Sequence, residues 1–459
     1  MSHGDIAGGP GRIAYLALLG TTTLGTLSST IISAPINDIA NDLGATASQI
    51  LFAVSAFTVA MVVFAPLAGW LCERYGAKLF LLASLGLMTV AQLGAALSPD
   101  LGVLVLMRSL QGVACSAIPP VVQHALGTFW AARRGRVMAT WASAIGVGQA
   151  IGPPLGGLVA DATGWRSIFV VHAVLTVALA LVLARFVPHM RPRRPPMHVA
   201  GMAALIGGVG SLVVAFTWAG QGGPLVLEIA LVLFGLGLLA LYHQLSRRSR
   251  QALVDPRLLV EARYLRSTVA AATVMASLGV VIVTVPLYLG RDLDLRPSVI
   301  GAITFALAAA MALFAPISSR IAERLTPRRV LHIGLVTLVV GPLLLASAST
   351  VKGMGSPGWI LAILLIIGCG IGAVQSSAAF GVMRSPAAER GSALGIHNMM
   401  RFAGLALGYA WVAATYPLGS LFLVYSGPAM LAAAAFLLTF IGPPAAPIQE
   451  PAPGDTSLR

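Results

Sequence analysis

Residues 64–78 read FAPLAGWLCERYGAK, and residues 314–328 read FAPISSRIAERLTPR. The second stretch begins 250 residues after the first: Phe-Ala-Pro recurs, and Glu73-Arg74 returns as Glu323-Arg324. A further echo joins RRGRVMA (133–139) to ERGSALG (389–395). Each charged cluster sits between long apolar runs, so the repeated unit is larger than the motif. The two copies are placed at residues 12–187 and 266–442, around an insert at 188–265, with tails at 1–11 and 443–459.

Composition identifies the solvent. The chain is 57% apolar and only 10% charged, with a mean hydropathy of +0.88, against about 25% charged residues in soluble domains. A bilayer-spanning helix needs about 20 apolar residues. Six such runs fall in each copy, and two more fall in the insert near 199–219 and 224–245. The reading is an all-α membrane protein of fourteen spans with both ends on one side. Of the 29 Lys and Arg residues, 23 lie on the side of the charged motifs, four opposite and two, Arg108 and Arg401, inside spans. Basic short loops stay in the cytoplasm, so both termini are expected there. The net charge of +14 is thereby used for orientation and lipid contact, and no nucleic-acid partner is expected. The opening residues lack a cleavable secretory pattern, so the first apolar run is expected to remain a span. Cys72, Cys115 and Cys369 lack metal-ligand spacing, and no metal site or cofactor is expected.

Two six-span copies in one orientation form the parallel repeat of major facilitator transporters, whose substrate site lies between the halves. The residues resemble that family closely. GWLCERYGAK (69–78) resembles its loop signature between the second and third helices, RSLQGVACSA (108–117) its fourth-helix signature, and GVGQAIGPPLGG (146–157) its fifth-helix antiporter signature. The two extra spans and LVDPRLL (253–259) resemble the fourteen-helix branch of the drug:proton antiporters.

The resemblance implies roles for particular residues. Glu73 would close the cytoplasmic face by meeting Arg133, Arg134 or Arg136 and the start of span 11, with Glu323 doing the mirrored task at span 5. Arg74, Lys78 and Arg324 belong to the same latches, and Gly69 and Gly76 permit the close approach and the turn. Gly148, Gly152 and Gly156 fall on one face of span 5, with Pro153 beside them, as a flexible contact between the halves. Ordinary small-residue packing is the alternative. Charges inside spans point to function because burying them is costly. Arg108, followed by Gln111, and Arg401 are therefore placed in the substrate or proton pathway, with His124, Gln149, His172, Gln375, His397 and Asn398; for Arg108 a structural role, bonded to backbone carbonyls, is the alternative. Each histidine taken alone also fits a hydrogen-bonded packing role.

The chain departs from the branch in one respect. Where relatives carry an acid in the first helix, TLSSTIISAPINDI (26–39) has Ser28. Only Glu228, near the end of an inserted span, falls within a span. A cleft with arginines and no acid favours neutral or anionic amphiphiles over simple cations. The expectation is a monomeric exporter of small amphiphilic compounds in a bacterial inner membrane, coupled to protons by antiport. Uniport, exchange and lipid transport stand as alternatives. No cluster of nucleophile and base suggests an enzyme.

Overall fold

The repeated motif marks where the chain turns back. The structure, a computed structural model, describes residues 10–32, 35–45, 47–192, 198–219, 224–248, 256–291, 293, 295, 297–347, 356–389 and 391–440. The tails and the basic stretches at 193–197 and 249–255 lie outside the described residues. Helix α3 (Ala47–Tyr75) and α4 (Ala77–Ala96) meet at Gly76, whose φ of +83° is a conformation that suits a residue without Cβ. In the second copy α13 (Pro297–Leu325) and α14 (Pro327–Ala346) meet at Thr326, with φ +104°. A β-branched residue is strained there. Its hydroxyl caps α14 by accepting from the Arg329 N–H at 3.4 Å, and Pro327 follows at the first helical position.

The other first-copy helices are α1 (Arg12–Thr30), α2 (Ile36–Asp42), α5 (Leu101–Ser116), α6 (Ile118–Phe129), α7 (Arg134–Thr163) and α8 (Arg166–Phe186). The insert contributes α9 (Val199–Ala219), α10 (Leu225–Arg248) and the single turn α11 (Pro256–Leu259). The second copy continues with α12 (Ala262–Arg291), α15 (Pro357–Met383), α16 (Gly391–Thr415) and α17 (Leu421–Leu438). The fourth span, Leu101–Phe129, is one membrane crossing built from two helices, α5 and α6. Pro119 and Pro120 lack the N–H groups that would continue the ladder across Ala117.

Packing repeats with the sequence. Helix α3 lies on α5 as α13 lies on α15, α4 lies on α8 as α14 lies on α17, and α1 lies on α7 as α12 lies on α16. Between the copies, α3 crosses α16 and α7 crosses α13, a pair of contacts that exchange when the copies are swapped. In the insert, α9 packs on α10, α3 and α16, while α10 shows exposed apolar residues such as Val226 and Leu233. Glu228 is on this outer helix, away from the contacts between the copies.

Eleven stretches of the described residues are long and apolar enough to cross a membrane, with α5 and α6 counted together. Helices α1, α7 and α16 are not among them, although each is as long as a span. These three carry polar groups and glycines because they face protein. Thr23 Oγ1 of α1, for example, donates to the Ala144 carbonyl of α7 at 3.1 Å. Hydroxyls and small residues stabilise helix contacts within a bilayer.

On the face opposite the charged motifs, Arg166 pairs with Asp42, and the Trp165 Nε1–H donates to the same carboxylate at 3.1 Å. Arg166 also donates to the Ser98 carbonyl at 3.1 Å, so the start of α8 is tied both to α2 through Asp42 and to the segment that follows α4. Arg166 first, and then Trp165, hold the Asp42 carboxyl below the usual carboxylate range. A depressed folded-state value adds stability above the unfolded value and loses it as pH falls through the folded one. The melting difference between wild type and Asp42→Asn is therefore expected to be constant near neutrality and to vanish in acid. Thermal melts across an acidic pH series check this.

Candidate functional site

The charged motifs lie on one face, the basic face, and there the copies touch. Glu73 Oε1 accepts the backbone N–H of Ser392 at 3.0 Å, and the Ser392 hydroxyl lies 3.5 Å away. Ser392 is in the first turn of α16, where unpaired N–H groups and the helix dipole favour a carboxylate. The expected partner at the start of span 11 is thus corrected to the start of span 13. The reason is the crossing itself. A Cβ on Gly395 of α16 would strike the Ala65 carbonyl and approach Pro66 and Gly69 of α3, so only hydrogens separate the two helices there.

Arg134 bridges the same face, its Nε donating to the Gly127 carbonyl at 3.0 Å and its Nη1 to the Met383 carbonyl of the second copy at 3.5 Å. Glu323 lines a cavity with Gly135 and Arg136 at the start of α7, on the mirrored side. Arg74 and Arg324 are exposed and Lys78 is half-buried. Arg74 stands over the Trp70 ring at 5.8 Å. Glu73→Ala is expected to loosen the basic face without unfolding the protein. A cysteine at Ser392 should label several-fold faster in that background, and unchanged labelling would remove Glu73 from the gate.

Deeper in the first copy, Arg108 of α5 is fully buried. Its Nη1 donates to the Ser28 carbonyl at 2.9 Å and to Gln111 Oε1 at 2.7 Å, and Phe57 lies 4.4 Å from the guanidinium carbon. Gln111 in turn donates to the Ala91 carbonyl at 3.2 Å. Nε and Nη2 of Arg108 have no hydrogen-bond partner, and no carboxylate pairs with this cation among the described residues. Ser28, the position expected for an acid, therefore lies beside the guanidinium and offers it only a carbonyl dipole.

His172 of α8 is hydrogen-bonded at both ring nitrogens. The Thr176 hydroxyl donates to Gln92 Oε1 at 3.1 Å, which turns the Gln92 amide nitrogen toward His172 Nδ1 at 2.9 Å. Nδ1 then accepts, and Nε2–H donates to the Leu24 carbonyl at 3.2 Å. The ring fastens α1 and α4 to α8.

In the second copy, Arg401 Nη1 donates to Asn398 Oδ1 at 3.0 Å, and Asn398 Nδ2 donates to Gln123 Oε1 of the first copy at 2.8 Å. Its guanidinium stands 5.2 Å from the Trp141 ring of α7 and 5.2 Å from Phe402. Arg401 and Asn398 therefore join the copies. His397 Nδ1 lies 2.9 Å from Thr268 Oγ1. Gln375 is buried with both amide ends unpartnered, as is Gln149 Oε1, and His124 is half-buried on α6.

The glycine seam of α7 faces elsewhere than expected. Added Cβ atoms on Gly148, Gly152 and Gly156 would strike Thr23, Thr26, Thr30 and Ile31 of α1, within the first copy. Contact with the second copy is made instead by Gly146 and by Ser143, whose hydroxyl donates to the Ala312 carbonyl. Pro153 is half-buried on the same helix. Sequence reading missed Phe57, Gln92, Gln123 as a bridge, Trp141 and Ser143. Gln92 and Gln123, polar residues deep in apolar runs, carried a signal.

The sequence profile of the Major Facilitator Superfamily matches residues 16–197 and 268–458. The chain belongs to that superfamily. Its members are transporters rather than enzymes, and the chain is a multi-pass membrane protein of this fold. It is 26% identical over 408 residues to the Multidrug resistance protein Stp of Mycobacterium tuberculosis (strain CDC 1551 / Oshkosh), covering 85% of this chain and 74% of that one. The Puromycin resistance protein pur8 of Streptomyces alboniger is 29% identical, with 86% and 80% covered. The Multidrug export protein EmrB of Escherichia coli (strain K12) is 32% identical over 204 residues, 44% of this chain and 40% of that one. Among solved structures, the human organic anion transporter MFSD10 (TETRAN) superposes with a TM-score of 0.67 at 15% identity, covering 93% of this chain and 99% of that one. The proton:xylose symporter XylE also gives 0.67, at 14% identity, with 93% and 94% covered.

Proposed function

We propose that this transporter exports small amphiphilic or hydrophobic compounds by alternating access, in the manner of multidrug efflux. The similarity to drug- and puromycin-resistance proteins over most of both chains carries this reading. Residues 12–187 and 266–442 are the rocking units, and 188–265 adds two spans, for fourteen in all. Both termini face the cytoplasm of a bacterial inner membrane, following the 23 basic residues on the face that Glu73 closes.

Protons drive export, with Glu73 as the exchanging group. It is a carboxylate bonded across the two copies, and its protonation would break the Ser392 contact and release the basic face. His172 is occupied by Gln92 and Leu24, and His397 is hydrogen-bonded to Thr268. A second reading is supported by the acid-free core: facilitated movement or exchange of neutral or anionic solutes. Inverted vesicles given a panel of neutral, anionic and cationic compounds, puromycin among them, separate the two. Antiport requires uptake that collapses with the pH gradient. Uptake indifferent to the gradient would favour exchange, and no uptake of any compound would overturn export.

A further inference from the structure

The cavity beside Glu323 has a volume of about 220 Å³ and opens between the copies on the basic face. One wall is the first turn of α7, with Gly135 and Arg136; the other is α13 and α15, with Glu323, Ser377 and Phe380, and Arg384 joins them. The described side chains that line it are net basic. Two guanidiniums and the positive end of a 30-residue helix face a single carboxylate. The Arg384 guanidinium lies over the Phe380 ring at 4.9 Å and has no carboxylate partner among the described residues. Arg263 adds like charge nearby, donating to the Arg384 carbonyl at 3.3 Å. Burial, and then Arg263, lower the Arg384 proton affinity from its ordinary value. An anion at this point would relieve both.

We propose that this cavity is a regulatory site for an organic phosphate monoester, whose phosphate sits between Arg384 and Arg136 and whose body fills the rest of the cavity. A ligand so placed touches α7 on one side and α13 and α15 on the other. It staples the copies together and holds the basic face closed, stopping the transport cycle from the side opposite substrate release. Guanidiniums suit phosphate because their N–H forks match its oxygens. The volume is below the roughly 300–1,000 Å³ of drug-sized pockets, so the ligand is small. The same phosphate chemistry could come from a soluble ester or a lipid headgroup.

The test is binding rather than transport, so its failure is separable from failure of the export reading. The full chain in phosphatidylcholine nanodiscs is titrated with phenyl phosphate by calorimetry. Saturable binding at one site is expected, about tenfold weaker in Arg384→Gln, tighter in Glu323→Gln and unchanged in Arg329→Gln. Melting curves report that each variant is folded. In protein whose native cysteines are replaced by alanine, spin labels at Tyr75→Cys and Leu325→Cys should show a narrower distance distribution when phenyl phosphate is bound. Phosphatidic acid nanodiscs, which present a phosphate monoester headgroup, assign the site to a lipid if they compete phenyl phosphate away, and unchanged affinity assigns it to a soluble ester. Absence of saturable binding at millimolar ligand, or equal affinity in Arg384→Gln, overturns the site. Binding that leaves the label distances unchanged overturns the staple.

Discussion

Arg108→Met is expected to lower transport about tenfold to a hundredfold while the purified protein stays folded. Methionine matches the apolar stem and keeps contact with Phe57, but it loses the charge-assisted bonds to the Ser28 carbonyl and Gln111. Such bonds contribute about 1.5–3 kcal/mol each, enough for that range if they differ between the two states of the cycle. The stability cost is small because a buried, incompletely paired cation is removed along with them. Turnover in vesicles and melting in detergent separate the effects. Full turnover would exclude Arg108 from the pathway, and a large drop in melting temperature would make it a structural bolt. Ser28→Asp is the complementary change. It sets a carboxylate beside the guanidinium, neutralises the cleft and should shift preference from anionic toward cationic compounds in the same panel.

Gly112→Ala is expected to cost about 3 kcal/mol or more, enough to deplete the protein from the membrane fraction. The added methyl would strike the Phe57 carbonyl oxygen of α3, and backbone cannot move aside as a long side chain can. Gly368→Ala should do the same against the Leu307 carbonyl of α13, since the close approach of α5 to α3 recurs between α15 and α13. Gly86→Ala is the control. Nothing lies within 4 Å of its added Cβ, so the change is neutral or gains up to about 1 kcal/mol of helix propensity. Quantitative blots and melting of the three variants test this. Wild-type stability in Gly112→Ala would mean that α3 and α5 pack less closely than described.

Legibility differed by residue. The duplication and the turn at Gly76 could be read from the chain because each depends on neighbours in sequence. The buried charges Arg108 and Arg401 could also be found, since an arginine amid apolar residues is conspicuous wherever it points. Their partners could not. Trp141 beneath Arg401 looks like any apolar span residue, and Gln123 shows nothing to mark it as the bridge to Asn398. The helices α1, α7 and α16 fall short of a membrane span on apolarity alone, because their polar residues are answered by other helices rather than by lipid.

Sequence by itself determined the solvent, the two copies, the helix turns and which faces carry basic charge. These follow from apolar run length, loop charge and backbone geometry, all short-range properties of the chain. Tertiary structure decided that Glu73 caps α16 rather than the start of span 11, that the α7 glycines face α1, and that Ser28 answers Arg108 with a carbonyl. Each contact joins residues far apart in the chain. Its choice rests on which helices cross closely enough to exclude side chains, a condition no local stretch encodes.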